Sequence, residues 1–197
     1  TDKLPLYPKI GEIAIDKKGD SISVGHPCIT GDGMMLIFAS NMPGGMGGKD
    51  LWYITYNKKL KAWDSIPKNM GPTINTAGNE LFPSFSPNGS LYFSTDGHPG
   101  LGGLDIYMAS LKGNTASNVH HLPSPVNSSY DDFGLTVAAD LKTGYFTSDR
   151  LGSDDIYKFG YEKKVVKVSG TVISEETNDG KAGVKVILYE KNDEGNF

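Results

Sequence analysis

The stretch Asp96–Ser110, DGHPGLGGLDIYMAS, packs glycines and a proline into a few residues and then becomes the strand-like run Leu104–Met108. A loop of this composition has two physical readings. It can present backbone N–H groups to a phosphate, or it can join two strands through backbone angles that other residues avoid. A phosphate-binding loop needs Gly-Lys-Ser/Thr opening a helix. This loop opens a strand and carries no Lys-Ser/Thr pair. It therefore reads as a strand-to-strand connection.

Two other parts of the chain repeat the pattern. His26–Tyr56 reads HPCITGDGMMLIFASNMPGGMGGKDLWYITY, Leu81–Leu111 contains the opening stretch, and Asp132–Tyr161 reads DFGLTVAADLKTGYFTSDRLGSDDIYKFGY. Pro27 matches Pro83, and Gly33 matches Gly89, with Gly144 placed in the same turn. Phe38, Phe93 and Phe146 align, as do Ser40, Thr95 and Ser148. Asp50, Asp105 and Asp155 recur 55 and 50 residues apart, each followed by Leu or Ile and then Trp or Tyr. A period of roughly 50 residues with this much turn chemistry predicts propeller blades.

Each repeat predicts an inner strand, a tight hairpin, a second strand, the Gly-rich loop and a third strand. A more polar outer strand is expected around Trp63–Ile66 and Val119–Leu122. Helical periodicity is absent, so the class is all-β. The expectation is a partial β-propeller within residues 1–162, with four-stranded blades at about 26–66, 81–122 and 132–161. Pro5–Val24 reads as the outer strand of another blade. Propellers have about 4–8 blades, so the missing blades are expected from a longer parent chain or from a symmetric partner. From Lys163 the pattern changes. Val166, Val168, Gly170 and Val172 share one face, as do Val184, Val186 and Leu188. Residues 163–197 read as the first strands of a β-sandwich, truncated before completion.

Composition narrows the function. The 197 residues carry a net charge of −4 with dispersed basic residues, so no nucleic-acid footprint is expected. No apolar run reaches the ~18 residues of a spanning helix, so no membrane insertion is expected. The one cysteine, Cys28, lies in an apolar run and reads as a buried small side chain. His26 precedes the inner strand at the position of Phe82 and reads as a packing or hydrogen-bonding residue. His98 lies in the Gly-rich loop and is expected to be exposed. His120 and His121 are adjacent, so a strand points them to opposite faces.

The aligned Asp50, Asp105 and Asp155 read as turn locks, because a site for chemistry is built once and these recur in every repeat. Asp96 and Asp105 are hard oxygen ligands, but no calcium-loop spacing surrounds them. No Gly-x-Ser-x-Gly elbow occurs, and the paired carboxylates Asp131-Asp132 and Asp154-Asp155 are only sequence neighbours. No catalytic residue, cofactor or metal site is assigned. The candidate contact loops are those bearing Met46, His98, Leu101 and Arg150. Apolar tips such as Met46 and Leu101 invite a partner.

The stretches HPCITGDGMMLIFASNMPGGMGGKDLW and NELFPSFSPNGSLYFSTDGHPGLGGLDIY resemble the TolB-type, WD-like propeller repeats of OmpA-family proteins, of the PorE type in the type IX secretion system. VSGTVISEETNDGKAGVKVILYE is similar to the carboxypeptidase regulatory-like domain that follows the propeller in that family. The resemblance implies a periplasmic, outer-membrane-associated, non-catalytic scaffold. Its partners would be other secretion-system proteins, and peptidoglycan would be bound only through an OmpA-like domain not found in these residues. A propeller enzyme or a glycan-binding lectin is the alternative reading.

Overall fold

In the computed structural model, residues 22–160 and 170–185 are described. The chain divides into two compact units, Thr1–Glu162 and Lys163–Phe197. Among the described residues, the first contains twelve strands and no helix. They are β1 (Val24–Ile29), β2 (Met35–Ser40), β3 (Asp50–Asn57), β4 (Ala62–Trp63), β5 (Lys68–Asn69), β6 (Glu80–Phe85), β7 (Leu91–Thr95), β8 (Asp105–Lys112), β9 (Thr115–His121), β10 (Asp132–Val137), β11 (Thr143–Ser148) and β12 (Asp155–Gly160).

These strands form three antiparallel sheets, one per repeat. The first runs β1-β2-β3-β4 with β5 also on β3, the second β6-β7-β8-β9 and the third β10-β11-β12. This is the expected partial propeller. The first outer strand differs from expectation. It is broken into β4 and β5 rather than running through Trp63–Ile66, because Pro67 offers no N–H to a ladder. The second is continuous, since Thr115–His121 contains no proline. The third sheet has three strands among the described residues. Most of Pro5–Val24, and Val166, Val168, Val186 and Leu188, lie outside the described residues.

The inner strands β1, β6 and β10 share one irregularity. Each slips register once, between Gly25 and Cys28, Leu81 and Ser84, and Phe133 and Thr136. The bulged residues His26, Phe82 and Gly134 have φ of 50°, 49° and 66°. A bulge leaves one residue out of the ladder, which is why Pro27 and Pro83 are tolerated there. His26 stacks on Phe82 at 3.9 Å, and its Nδ1 accepts the Phe82 N–H at 3.2 Å. The sequence role for His26 is met by both contacts at once.

The inner hairpins show where the repeat alignment needs correcting. The first two close through Gly33 and Gly89, each donating to the residue three back, with φ of 71° and 86°. The equivalent residue of the third hairpin is Leu141, φ 57°, whose N–H donates to the Ala138 carbonyl. Gly144 is not in that turn. It lies in β11 opposite Val137, where a Cβ would drive into the Thr136 carbonyl oxygen and the Phe159 ring.

The sheets stack through alternating faces. Ile37, Leu51 and Tyr53 of the first pack against Leu91, Phe93 and Tyr107 of the second. The other face of the second, through Ile106, meets Leu135 and Phe146 of the third. Each such side chain, fully buried, contributes about 1.5–3 kcal/mol. In the second unit, Ile173 bridges Gly180 and Asn178 donates to the Ser174 carbonyl, closing a tight turn.

Leu141 in a left-handed conformation carries a steric cost of about 1–2 kcal/mol that glycine does not. Leu141→Gly should therefore raise the thermal midpoint, and Gly144→Ala should lower it by the equivalent of about 1–3 kcal/mol through overpacking. Paired thermal unfolding curves of the two variants check both signs.

Candidate functional site

The Gly-rich loops lie between the second and third strands of each sheet, so all three open at the same rim. In the first two, the loop does cradle an anion, and that anion is the protein's own aspartate. Asp50 Oδ2 accepts the Met46 N–H at 2.6 Å and Oδ1 the Gly47 N–H at 3.2 Å. Asp105 Oδ2 accepts the Leu101 and Gly102 N–H groups at 3.0 and 2.9 Å. The glycines are there for closeness: a Cβ on Gly45 would lie 2.8 Å from Asp50 Oδ2, and one on Gly100 would strike Asp105.

A second group closes each buried carboxylate from the outer strand. Asn69 Nδ2 donates to Asp50 Oδ2 at 2.6 Å, and His121 Nε2 lies 2.9 Å from Asp105 Oδ1. Asn69 faces Trp52 and His121 faces Tyr107 across their sheets, so the two are the same position. The Asp105–His121 pair looks like part of a catalytic constellation. Its counterpart in the first blade is Asp50–Asn69, which has no titratable partner to match, so the shared job is to hold the loop.

Asp155 departs from the pair. It keeps the register, opposing Ser148 as Asp50 opposes Ser40 and Asp105 opposes Thr95. Yet it is exposed and, among the described residues, accepts only the Ser153 hydroxyl, at 3.2 Å. The third loop, Arg150-Leu151-Gly152-Ser153, has fewer glycines and does not wrap it.

The connections between blades carry residues that the repeat reading passed over. Asn75 accepts the Leu51 N–H at 2.8 Å and donates to the Leu51 carbonyl at 3.0 Å. Asn127 does the same to Ile106, at 2.8 Å both ways. Asn79 Oδ1 accepts the Lys49 N–H, and Asp131 Oδ1 the Leu104 N–H. Asp96 and Asp149 in turn accept the N–H groups of Asn79 and Asp131, at 2.5 and 2.9 Å. The signal was present in sequence: Ile74-Asn75-Thr76-x-x-Asn79-Glu80 and Val126-Asn127-Ser128-x-x-Asp131-Asp132 are one motif repeated.

Two of the four expected contact residues belong to this internal network. His98 is half-buried rather than exposed: its Nε2 lies 2.8 Å from the Ile74 carbonyl, and its ring sits 5.0 Å from that of Tyr107. Arg150 donates to the carbonyls of Pro125 and Val126, pairs with buried Asp132 and covers the rings of Phe146 and Tyr157. Val126 precedes Asn127 as Ile74 precedes Asn75, so His98 and Arg150 tie down equivalent carbonyls. The other two expected residues are at the rim. Met46 is 46% exposed, Leu101 54%, and Leu151, the matching tip of the third loop, 79%.

Electrostatics separates the two blade junctions. Glu80 is buried on the hydroxyls of Thr76 and Thr95, at 2.6 and 2.9 Å, with no cation beside it among the described residues. Burial pushes its carboxyl above the usual range, those hydrogen bonds pull it back, and the nearby Asp50 charge pushes it further up. At the other junction Arg150 neutralises Asp132. Burial pushes the Cys28 thiol up to about 12, which keeps it protonated and unreactive. Among the described residues, no cluster of three or more His, Cys, Asp or Glu side chains has metal-binding geometry. Asp96 and Asp105, the residues weighed for calcium, receive N–H donors instead.

No family model matches the chain, and no curated protein matches it. Among solved structures, 11 chains match. One is TolB from Acinetobacter baumannii, with 17% identity over 70% of this chain and a TM-score of 0.46. The chain spans 31% of the length of that structure.

Asp105→Ala should cost about 3 kcal/mol, because two loop N–H groups and His121 lose their acceptor. Asp155→Ala should stay within about 0.5 kcal/mol, as an exposed change; denaturant midpoints of the two variants check the contrast. For Glu80 the sign is set by its raised folded-state value. The folded protein holds the proton to higher pH than the unfolded chain, so stability through Glu80 rises as pH falls through the folded-state value. The thermal midpoint of the wild type should therefore gain on that of Glu80→Gln as the pH is lowered toward the ordinary carboxylate range. His26, whose imidazole is pushed below its usual value by burial and by Lys49, is common to both proteins and cancels.

Proposed function

We propose that the chain is a non-catalytic protein-interaction scaffold that works in the periplasm, as part of an outer-membrane-associated secretion apparatus of the PorE type. The observation that carries this reading is the placement of Met46, Leu101 and Leu151. They are three apolar side chains at one repeat position, exposed at one rim. Exposed apolar residues grouped in this way favour protein partners. The titratable groups that could have supported chemistry, Asp50, Asp105, Glu80, Asp132 and His121, are engaged by the chain's own donors and acceptors instead. The sequence resemblance supplies the secretion context, and in this reading peptidoglycan is bound by a domain outside these residues.

The test substitutes Met46, Leu101 and Leu151 together by aspartate in the native cell, alongside photo-crosslinking from position 101. The expected result is loss of crosslinks to secretion components at the outer membrane and impaired secretion, with an unchanged thermal midpoint. Full secretion by the triple variant, or glycan binding or turnover that it leaves intact, would overturn the reading.

A further inference from the structure

The third sheet presents an edge that the first two sheets have filled. Leu51 opposes Ala39, Ile106 opposes Ser94 and Ile156 opposes Thr147 in matching register. In the first two sheets that register turns the N–H and C=O of Leu51 and Ile106 away from the second strand, toward the carboxamides of Asn75 and Asn127. The same register turns the N–H and C=O of Ile156 outward, and no described residue meets them. Leu51 and Ile106 are 0% exposed, whereas Ile156 is 78% exposed. Tyr145, on the same face as Ile156, is also largely exposed, where its counterpart Ile37 is fully buried.

We propose that this face binds a further blade of the same repeat, led in by an Asn-Thr/Ser-x-x-Asn/Asp-Glu/Asp segment. The asparagine carboxamide of that segment pairs with the N–H and C=O of Ile156. The interface is a third copy of one that the molecule builds twice, so its chemistry is specified: an apolar blade face over Tyr145 and Ile156, and one carboxamide at the edge.

The occupant is not a second copy of this chain. The first blade is the one that a head-to-tail copy would offer. Its matching face is already buried, with Phe38, Trp52 and Ile54 in a core of their own. Its lead-in also lacks the asparagine. Val24 opposes Ser40 as Glu80 opposes Thr95 and Asp132 opposes Ser148. Asn75 and Asn127 stand five residues ahead of Glu80 and Asp132, and Gly19 stands five ahead of Val24. The motif occurs twice in the sequence, and both copies are already engaged. The blade that fits is therefore carried by a polypeptide outside these 197 residues.

A fluorescently labelled synthetic peptide of residues Met70–Phe85 serves as the lead-in probe, titrated into the protein and read by anisotropy. Saturable binding is expected, weakened about tenfold or more when the peptide carries Asn75→Ala, since two hydrogen bonds are lost. Ile156→Asp in the protein should abolish binding with its circular dichroism unchanged. Amide exchange gives a readout that needs no protein variant: the Ile156 N–H should gain protection with the native peptide and none with the Asn75→Ala peptide. Absence of binding, equal binding of both peptides, or binding indifferent to Ile156→Asp would each overturn the proposal. So would concentration-dependent self-association in sedimentation that Ile156→Asp removes, which would assign the face to a second copy.

Discussion

The structure depends on a buried carboxylate wrapped by backbone. Asp50 and Asp105 each sit under a Gly-rich loop, accept two of its N–H groups, and are met from the other side by Asn69 or His121. A buried carboxylate without partners would be costly, and a glycine loop without a template would be disordered by its own entropy. Each removes the other's difficulty. The loop gains a single conformation, the charge gains charge-assisted hydrogen bonds, and the third strand starts at a defined point.

From that point the blade junctions follow. With the residue after the aspartate fixed, its N–H and C=O face the sheet edge, and a side-chain amide can imitate a strand there. Asn75 and Asn127 do this, and the connection is then held along its length by Asn79 and Asp131. The apolar faces of neighbouring sheets are thereby brought to packing distance. Among the described residues the third blade lacks both parts: its loop has fewer glycines, Asp155 is exposed, and Ile156 meets no asparagine. Loss of the wrapped carboxylate and loss of the junction fall at the same place.

This division of labour explains why residues that look chemical are structural. Arg150 in a loop beside carboxylates, and His121 against a buried aspartate, have the composition of a site. Comparison between blades identifies them, because the equivalent positions hold His98 and Asn69, which make the same contacts with different side chains. What distinguishes the rim is the apolar character of its tips. Met46, Leu101 and Leu151 stand exposed there.

The sequence by itself determined the repeat, the all-β class, the order of the first three strands within each blade and the register of the aspartates. Those depend on local chemistry: a hairpin signal, an alternating strand and a glycine loop each act over a few residues. It misplaced Gly144, because a turn position is defined by backbone angle, and Leu141 takes the left-handed angle that the pattern reserves for glycine. It exposed His98 and treated Arg150 as a tip, because loop composition says nothing about which carbonyl lies opposite. It passed over Asn75 and Asn127, although their motif recurs, because the partners Leu51 and Ile106 are more than twenty residues away and offer only backbone. Tertiary structure alone decided those pairings, since a side-chain amide becomes a strand surrogate only when another segment brings an unpaired N–H and C=O to it.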